Sequence, residues 1–304
     1  MSRMDLSEAN IGAADLLGDP LGLAEYQYRL ASQLCGPCRD YHALWPYRRL
    51  AGIVSGVEPD APVLEPALRE ATPRNGHVLI AGAADAGMLG LVVRATERAT
   101  PAIAVADRCA TPLAVCRRYA ESRGLSVATH LLDLAAIARA EHFDVVFAHG
   151  FIQFIPEEAR VAYLRSLGGM LNPGGTVVIA ERLRVKAGHE PRQGDYTNEL
   201  IATLRAEGIP LPEREDAFRQ RLEREVAALR ERIAGALGPD DLGACFAAAG
   251  FHVTARTNLE RRRTVTVRNG GSETVTMQIV VARPAGRSSA FAPLPEDDPS
   301  RRSP

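Results

Sequence analysis

A turn rich in small residues, and an acidic residue that follows it in the chain, are the parts of this sequence best suited to holding a ligand. The turn spans residues 82–87, follows an apolar run and leads directly into a helical pattern. Such a turn lets backbone N–H groups approach a ligand at the positive end of the following helix. Asp107 ends the next apolar run, about where nucleotide-binding folds place an acid against ribose hydroxyls. The two features together indicate a bound nucleoside.

Histidine and tyrosine side chains are the candidates for proton transfer. A histidine can take a proton from an attacking N–H or O–H group, because its pKa lies near the working pH. His149 ends an apolar run and is the first candidate base, and His42 is the second. Tyr41 and His42, in an aromatic-rich segment, form the preferred substrate-facing pair. The alternatives are a histidine satisfied by backbone groups and aromatic residues that form the core of their own segment.

Cys35 and Cys38 form a Cys-x-x-Cys pattern that could serve redox or metal chemistry. A thioredoxin-type site needs a strand before this pattern, and the sequence has a helical pattern there. A zinc site needs two further ligands, and no second close pair of cysteines or histidines is present. The sequence therefore predicts no metal site. The odd number of cysteines, five, fits reduced thiols inside a cell better than a disulfide framework.

Short apolar runs that alternate with helical patterns must position these groups. The predicted strands of a parallel sheet with right-handed crossovers lie near residues 77–82, 102–107, 126–132, 143–149 and 175–181. Thr111 is predicted to cap the helix after Asp107, which would leave the Asp107 carboxylate free for a ligand. Runs at 251–255 and 274–282 flank a Gly-rich turn and predict an antiparallel hairpin that closes the sheet.

Composition limits the partners. The 304 residues carry a formal net charge of −1, and 46% of them are hydrophobic. A balanced charge gives no attraction to nucleic acid or to an anionic membrane surface. No apolar run approaches membrane-spanning length, and the N-terminus lacks the features of a signal peptide. We therefore expect a cytoplasmic protein with a small-molecule substrate, without nucleic acid or membrane partners, and a homodimer is allowed.

Several segments, in the expected order, resemble the class I S-adenosylmethionine-dependent methyltransferases, a Rossmann-like family. They are the loop at 82–87, Asp107, and residues 132–134, 143–156, 171–176 and 247–251. The resemblance implies an α/β fold, a doubly wound and mostly parallel sheet of seven strands with a C-terminal antiparallel hairpin. It also implies in-line transfer of a methyl group from S-adenosylmethionine to a small-molecule acceptor.

The resemblance further implies how the cofactor is held. The loop at 82–87 would wrap the methionine part, Asp107 would bind the ribose, residues 132–134 would lie beside the adenine, and the end of the fourth strand would face the transferable methyl. The implied cofactor-binding residues are Gly82, Ala83, Ala84, Asp85, Gly87, Asp107, Arg108, Leu132, Asp133, His149 and Gly150. Asp85 either contacts the amino end of the methionine or stabilises the turn itself.

Two departures from the family pattern support the alternatives. Ile80 stands where the family usually has Asp or Glu, and Ala84 replaces the second loop glycine. One alternative is an NAD(P)-dependent oxidoreductase, since Gly82, Gly87 and Asp107 also fit a dinucleotide site. The other is a catalytically inactive methyltransferase-fold subunit that binds or assembles.

The resemblance and the patterns divide the chain into five segments. They are an N-terminal helical cap (1–72), a Rossmann-like cofactor-binding core (73–185), a helical lid insertion (186–238), the C-terminal part of the core (239–283) and a disordered tail (284–304). The cap and the lid are expected to close over the ligands.

Overall fold

Seven strands form one sheet in the computed structural model, which describes residues 13–134, 142–183, 193–232, 237–238, 240–264 and 272–285. The strands are β1 (His77–Ala81), β2 (Ala102–Asp107), β3 (Val127–Leu131), β4 (Phe143–His149), β5 (Leu171–Leu183), β6 (Phe251–Thr264) and β7 (Ser272–Pro284). Their order across the sheet is β3-β2-β1-β4-β5-β7-β6. The first five strands pair in parallel, and β7 pairs antiparallel with β5 and β6. The predicted Rossmann-like sheet with its closing hairpin is confirmed.

Ten α-helices lie in the described residues. They are α1 (Ala13–Leu17), α2 (Pro20–Leu34), α3 (Arg39–Leu50), α4 (Ala61–Ala71), α5 (Gly87–Thr96), α6 (Ala110–Ser122), α7 (Arg160–Gly169), α8 (Gln193–Ala206), α9 (Glu215–Arg232) and α10 (Asp241–Ala248). Short 3-10 turns at Glu58–Asp60 and Ile152–Phe154 precede α4 and follow β4. No helix among the described residues is both long enough and apolar enough to cross a membrane.

The hairpin strands are longer than the sequence indicates. The apolar runs predict strands at 251–255 and 274–282. In the structure β6 extends to Thr264 and β7 begins at Ser272, and the two strands pair with one irregularity between Val253 and Ala255. Residues 256–263 are mostly polar and lack an apolar alternation, so their pairing is fixed by the neighbouring strand rather than by burial. Similarly, β5 begins at Leu171, ahead of the run near 175.

Helices cover both faces of the sheet. Strands β1 and β4 are continuous apolar runs because both of their faces are buried, as a parallel sheet between helices requires. Leu64 and Leu68 of α4 pack with Leu89 of α5 in one core cluster. Leu164 of α7 and Phe246 of α10 lie in the cluster on the other face. The predicted cap at 1–72 therefore includes a helix, α4, that packs against the sheet.

Helices α2, α3, α8 and α9 form a separate apolar cluster. Leu44 and Tyr47 of α3 pack with Leu200 of α8 and with Phe218 and Leu222 of α9. Helices α2, α3, α8 and α9 therefore form one layer, which from here on we call the cap. Part of the predicted insertion (186–192 and 233–236) and almost all of the predicted tail lie outside the described residues.

Candidate functional site

The loop after β1 makes its sharp turn at Gly82. Its φ of +82° lies in the left-handed region that favours glycine, and its N–H donates to the Ala106 carbonyl (2.8 Å). The ring of Phe151, which follows β4, lies directly over this glycine, since a Cβ there would be 2.4 Å from a ring carbon. Phe151 also stacks on Tyr163 of α7, with ring centroids 5.6 Å apart. The bare Cα of Gly82 is thus what allows the ring to approach.

Asp107 lies at the carboxyl end of β2 and faces the same loop. Its Oδ2 accepts a hydrogen bond from the Ala83 N–H (2.9 Å), and its Oδ1 accepts one from the Cys109 N–H (2.7 Å). Burial raises the pKa of this carboxyl, and the two N–H donors oppose the rise. The prediction that Thr111 caps the next helix is wrong: α6 begins at Ala110, so Thr111 lies inside it. Both carboxylate oxygens of Asp107 thus already accept a hydrogen bond from a backbone N–H.

Asp85 is held by the loop on one side and by α3 on the other. Its Oδ1 accepts from the Gly87 N–H (2.7 Å), the turn-stabilising alternative that the sequence left open. Its Oδ2 accepts from Trp45 Nε1 (2.7 Å) and pairs with Arg49. Burial raises the pKa of Asp85, but Arg49 and the hydrogen bonds outweigh that effect and the net pKa is lowered. An ionised Asp85 thus anchors α3 to the glycine loop.

His149 lies at the end of β4 and pairs with an acid that precedes α4. Its Nε2 is 2.7 Å from Oδ2 of Asp60, a fully buried side chain. Burial lowers the pKa of His149 to about 4. The imidazole is therefore neutral at neutral pH and is oriented by Asp60.

Glu181 is a second buried acid beside His149, near the end of β5. Its Oε2 accepts from the Ile152 N–H (2.7 Å) and its Oε1 from the Arg182 N–H (3.1 Å). Burial raises the pKa of Glu181 to about 7, against the effect of these donors and of His149. The carboxyl thus fixes the turn that carries Phe151.

The remaining predicted cofactor residues follow β1, β2, β3 and β4 at the carboxyl end of the sheet, a region that we call the cleft. Arg108 and Asp133 are exposed, and Leu132 is half-buried with its N–H on the Asp107 carbonyl (3.0 Å). Gly150 has a φ of +63° and donates to the Ala180 carbonyl (2.8 Å). The Ala84 carbonyl accepts from Gln27 of α2 (2.9 Å).

Tyr41 and His42, the predicted substrate-facing pair, contact each other edge to face, with ring centroids 5.1 Å apart, but differ in their other neighbours. The Tyr41 ring packs against Trp45 and Phe154, with centroids 5.6 and 6.2 Å away. His42 is buried, and its Nδ1 lies 3.4 Å from Cys35 Sγ. The His42 ring thus faces the thiol of Cys35, and its role as the second candidate base stays a prediction.

The structure brings two further residues that could bind a metal close to Cys35 and Cys38, although the sequence shows no second close pair of cysteines or histidines. Cys109, at the start of α6, and His42, on α3, join them, and the four ligand atoms all lie within 4.8 Å of one another. We call this set the sulfur cluster. The spacing of His42, four residues after Cys38, is a zinc-type signal that could have been found in the sequence. Cys109 could not, because it is 74 residues from Cys35.

Comparison with known proteins gives one family match and several structures of low sequence identity. A family model described as a methyltransferase domain matches residues 84–179. No curated protein shows significant similarity to the chain. A putative methyltransferase from Bacillus halodurans is 14% identical (TM-score 0.49, covering 72% of this chain and 98% of that one). A methyltransferase described as SAM-dependent, from Methanosarcina mazei, is 13% identical (0.47, 72% and 97%). A possible exported protein from Bordetella parapertussis is 15% identical (0.49, 93% and 100%).

Proposed function

We propose that this protein is an S-adenosylmethionine-dependent methyltransferase that acts on a small-molecule acceptor, since residues 84–179 match a family model of a methyltransferase domain. The observation that carries the proposal is the buried carboxylate of Asp107 at the end of β2, facing the N–H of Ala83 in the glycine loop. This is the place where the family resemblance puts the ribose of the cofactor.

Asp107 fits the ribose end of S-adenosylmethionine. Each of its oxygens accepts one backbone N–H, and a carboxylate oxygen has a second lone pair that can accept a ribose hydroxyl. The same two backbone bonds fix the carboxylate in position before the cofactor arrives. Leu132, whose N–H donates to the Asp107 carbonyl (3.0 Å), belongs to the segment that the resemblance places beside the adenine.

The methionine end fits only after one side chain moves. Phe151 covers Gly82, where the resemblance places the methionine part, so the ring must swing away for the cofactor to bind. The preceding residue, Gly150, has a positive φ and carries no side chain that would hinder such a rotation. Phe151 is therefore proposed to close the cleft when the cofactor is absent.

When bound, S-adenosylmethionine supplies an electrophilic methyl group on a sulfonium that is also the leaving group. The chain then has to orient the acceptor and exclude water. The cap suits this task because α3 reaches the glycine loop directly, through Trp45 and Arg49 on Asp85. A site enclosed in this way favours a compact acceptor over a polymer.

His149 is the proposed base for an acceptor that must lose a proton. Its Nε2 is held by Asp60, so the proton would go to Nδ1. The lowered pKa keeps the imidazole unprotonated at neutral pH, as a base requires. Asp60 is a positioning residue that sets the orientation of the ring. Tyr41, packed between Trp45 and Phe154, is proposed to form part of the acceptor wall.

Calorimetric titration with S-adenosylhomocysteine, S-adenosylmethionine and NAD tests the proposal. We expect the first two to bind, with binding weakened about tenfold or more by Asp107→Asn, because the amide would place a donor against a backbone N–H. The matched control is Asp216→Asn, at an exposed position on α9 outside the implied cofactor site, and it is expected to change the affinity less than about twofold. Binding of NAD alone would support the oxidoreductase. If neither the wild type nor Phe151→Ala binds any of the three ligands, the result would support the catalytically inactive subunit. The position of the Phe151 ring over Gly82 is the observation that favours this alternative.

A further inference from the structure

The sulfur cluster brings together four buried or nearly buried ligand atoms from three parts of the chain. Cys35 and Cys38 flank the corner between α2 and α3, His42 lies in the first turns of α3, and Cys109 follows β2. Cys35 is 6% exposed, and His42 and Cys109 are each 5% exposed. Thiols gain little by gathering in a protein interior, so a cluster of three with an imidazole needs a further explanation.

The separations match those around a tetrahedral zinc ion. Bond lengths of about 2.3 Å to sulfur and about 2.05 Å to nitrogen put ligand atoms roughly 3.5–3.8 Å apart. In this structure the sulfurs of Cys35 and Cys109 are 3.3 Å apart, and those of Cys38 and Cys109 are 3.6 Å apart. Cys35 Sγ is 3.4 Å from His42 Nδ1. An ion therefore requires only a small adjustment of side chains.

We propose that Cys35, Cys38, His42 and Cys109 bind one structural Zn²⁺ ion. Four protein ligands fill the tetrahedral shell and leave no open position for a substrate or water, which is the pattern of a structural site. Three soft thiolates with one imidazole select zinc over magnesium or calcium, which prefer oxygen ligands. The site would join the α2–α3 corner of the cap to the corner between β2 and α6. This inference is independent of the methyltransferase proposal.

The surroundings of the cluster support a thiolate site. The Thr111 Oγ1 lies 3.0 Å from Cys35 Sγ and can donate a hydrogen bond to a thiolate there. Arg108, the residue before Cys109 in the chain, brings a positive charge to the same corner. Three thiolates, a neutral imidazole and Zn²⁺ carry a net charge of about −1, which Arg108 partly offsets.

A disulfide explains the cluster less well. The sulfurs of Cys35 and Cys109 would have to approach to about 2.05 Å, with loss of two electrons to an oxidant. Such a bond would leave Cys38 and His42 without a role, although both lie within the same 4.8 Å set. A disulfide is therefore the rival outcome of the test.

Metal analysis of the purified full chain tests the proposal. We expect about one zinc per chain in the wild type and less than about one fifth of that in Cys38→Ser or Cys109→Ser. Cys245→Ser is the matched control, since Cys245 is half-exposed on α10 and lies outside the cluster. It should keep its zinc.

If the serine variants do not fold, a variant that replaces one metal-binding side chain by another keeps the test decisive. Cys38→His retains four ligands and should still bind about one zinc per chain. With Co²⁺ in place of zinc, wild type and Cys38→His should both show the visible bands of a tetrahedral site. The thiolate-to-cobalt band should be about one third weaker in the variant, because two thiolates remain instead of three.

Three results would overturn the assignment. They are a metal-free wild type that gains no tetrahedral spectrum with Co²⁺, a mass loss that maps to a Cys35–Cys109 disulfide without metal, and zinc that persists when both Cys38 and Cys109 are replaced.

Discussion

The Nε2 atom of His149 lies 2.7 Å from a carboxylate oxygen of Asp60, although the two residues are 89 positions apart. Asp60 ends a short turn before α4 whose first residue, Glu58, pairs with Arg49. Arg49 also pairs with Asp85 in the glycine loop. The turn at Glu58–Asp60 thus contacts the end of β4 directly, through Asp60. It is linked to the loop after β1 indirectly, because Arg49 pairs with both Glu58 and Asp85.

The first prediction concerns the coupling of Asp60 and His149. Asp60→Ala should lower the free energy of unfolding by about 1–3 kcal/mol, because it leaves a buried imidazole without its partner. In the double variant with His149→Ala, the two losses should be less than additive by about 1 kcal/mol or more. Chemical denaturation measures all four proteins. Asp133→Ala, at an exposed site, should stay within about 0.5 kcal/mol of the wild type. Additive losses would mean that the two side chains do not interact.

The second prediction concerns the pH dependence that Glu181 imposes. Its pKa is raised by burial from 4.5 to about 7. The folded protein therefore holds this proton where the unfolded chain has lost it, so the stabilising contribution is full below pH 4.5 and disappears as the pH rises through 7. The total loss is about 3 kcal/mol.

Glu181→Gln keeps the shape of the side chain and removes its titration. The difference in unfolding free energy, wild type minus variant, should therefore fall as the pH rises from 4.5 to 8, as followed by denaturant titration at each pH. His149 titrates in the opposite sense, since its pKa is lowered, but its contribution is present in both proteins and largely cancels. Parallel curves for the two proteins would show that Glu181 is ionised throughout.

The sequence predicts the strands that position this site better than it predicts the side-chain contacts within the site. Strands β1, β2 and β4 are apolar runs, because both faces of each strand are buried in a parallel sheet. Such runs can be recognised from the sequence alone. The position of Asp107 follows, because it ends one of these runs. The family model match over residues 84–179 lies within this predictable part.

The side chains that close the site come from elsewhere in the chain. Asp60, Arg49 and Cys109 act through partners that are 36 to 89 residues away, and hydrophobic periodicity carries no information about such pairs. The position of Phe151 over Gly82 depends on the turn after β4, which the sequence places but does not orient.

The third prediction separates the contact at Gly82 from its backbone strain. Gly82 and Gly174 share a φ of +82°, but a Cβ at Gly174 would meet nothing within 4 Å. Gly174→Ala should cost about 1 kcal/mol, for the left-handed backbone alone. Gly82→Ala should cost at least about 1 kcal/mol more, because its Cβ would displace the Phe151 ring.

Phe151→Ala provides the complementary test at the same contact. It should reduce the extra cost of Gly82→Ala in a double variant. It should also tighten binding of S-adenosylhomocysteine roughly tenfold, since the ring no longer competes for the space over Gly82. Phe154→Ala, in the same turn but packed on Tyr41, is the control and should not tighten binding. Equal costs at Gly82 and Gly174 would rule out the close approach of the ring.

The fourth prediction uses Trp45, the single tryptophan of the sequence, as a reporter of the cleft. Its Nε1 donates to Asp85 in the glycine loop, so a ligand bound along that loop must alter the surroundings of the indole. Adding S-adenosylhomocysteine should change the tryptophan emission in a saturable way, with the midpoint found by calorimetry. Asp85→Ala removes the acceptor and should shift the emission before any ligand is added. Calorimetric binding with no change in the emission of the wild type would mean that the ligand lies away from the glycine loop, and would exclude the binding mode proposed for this cleft.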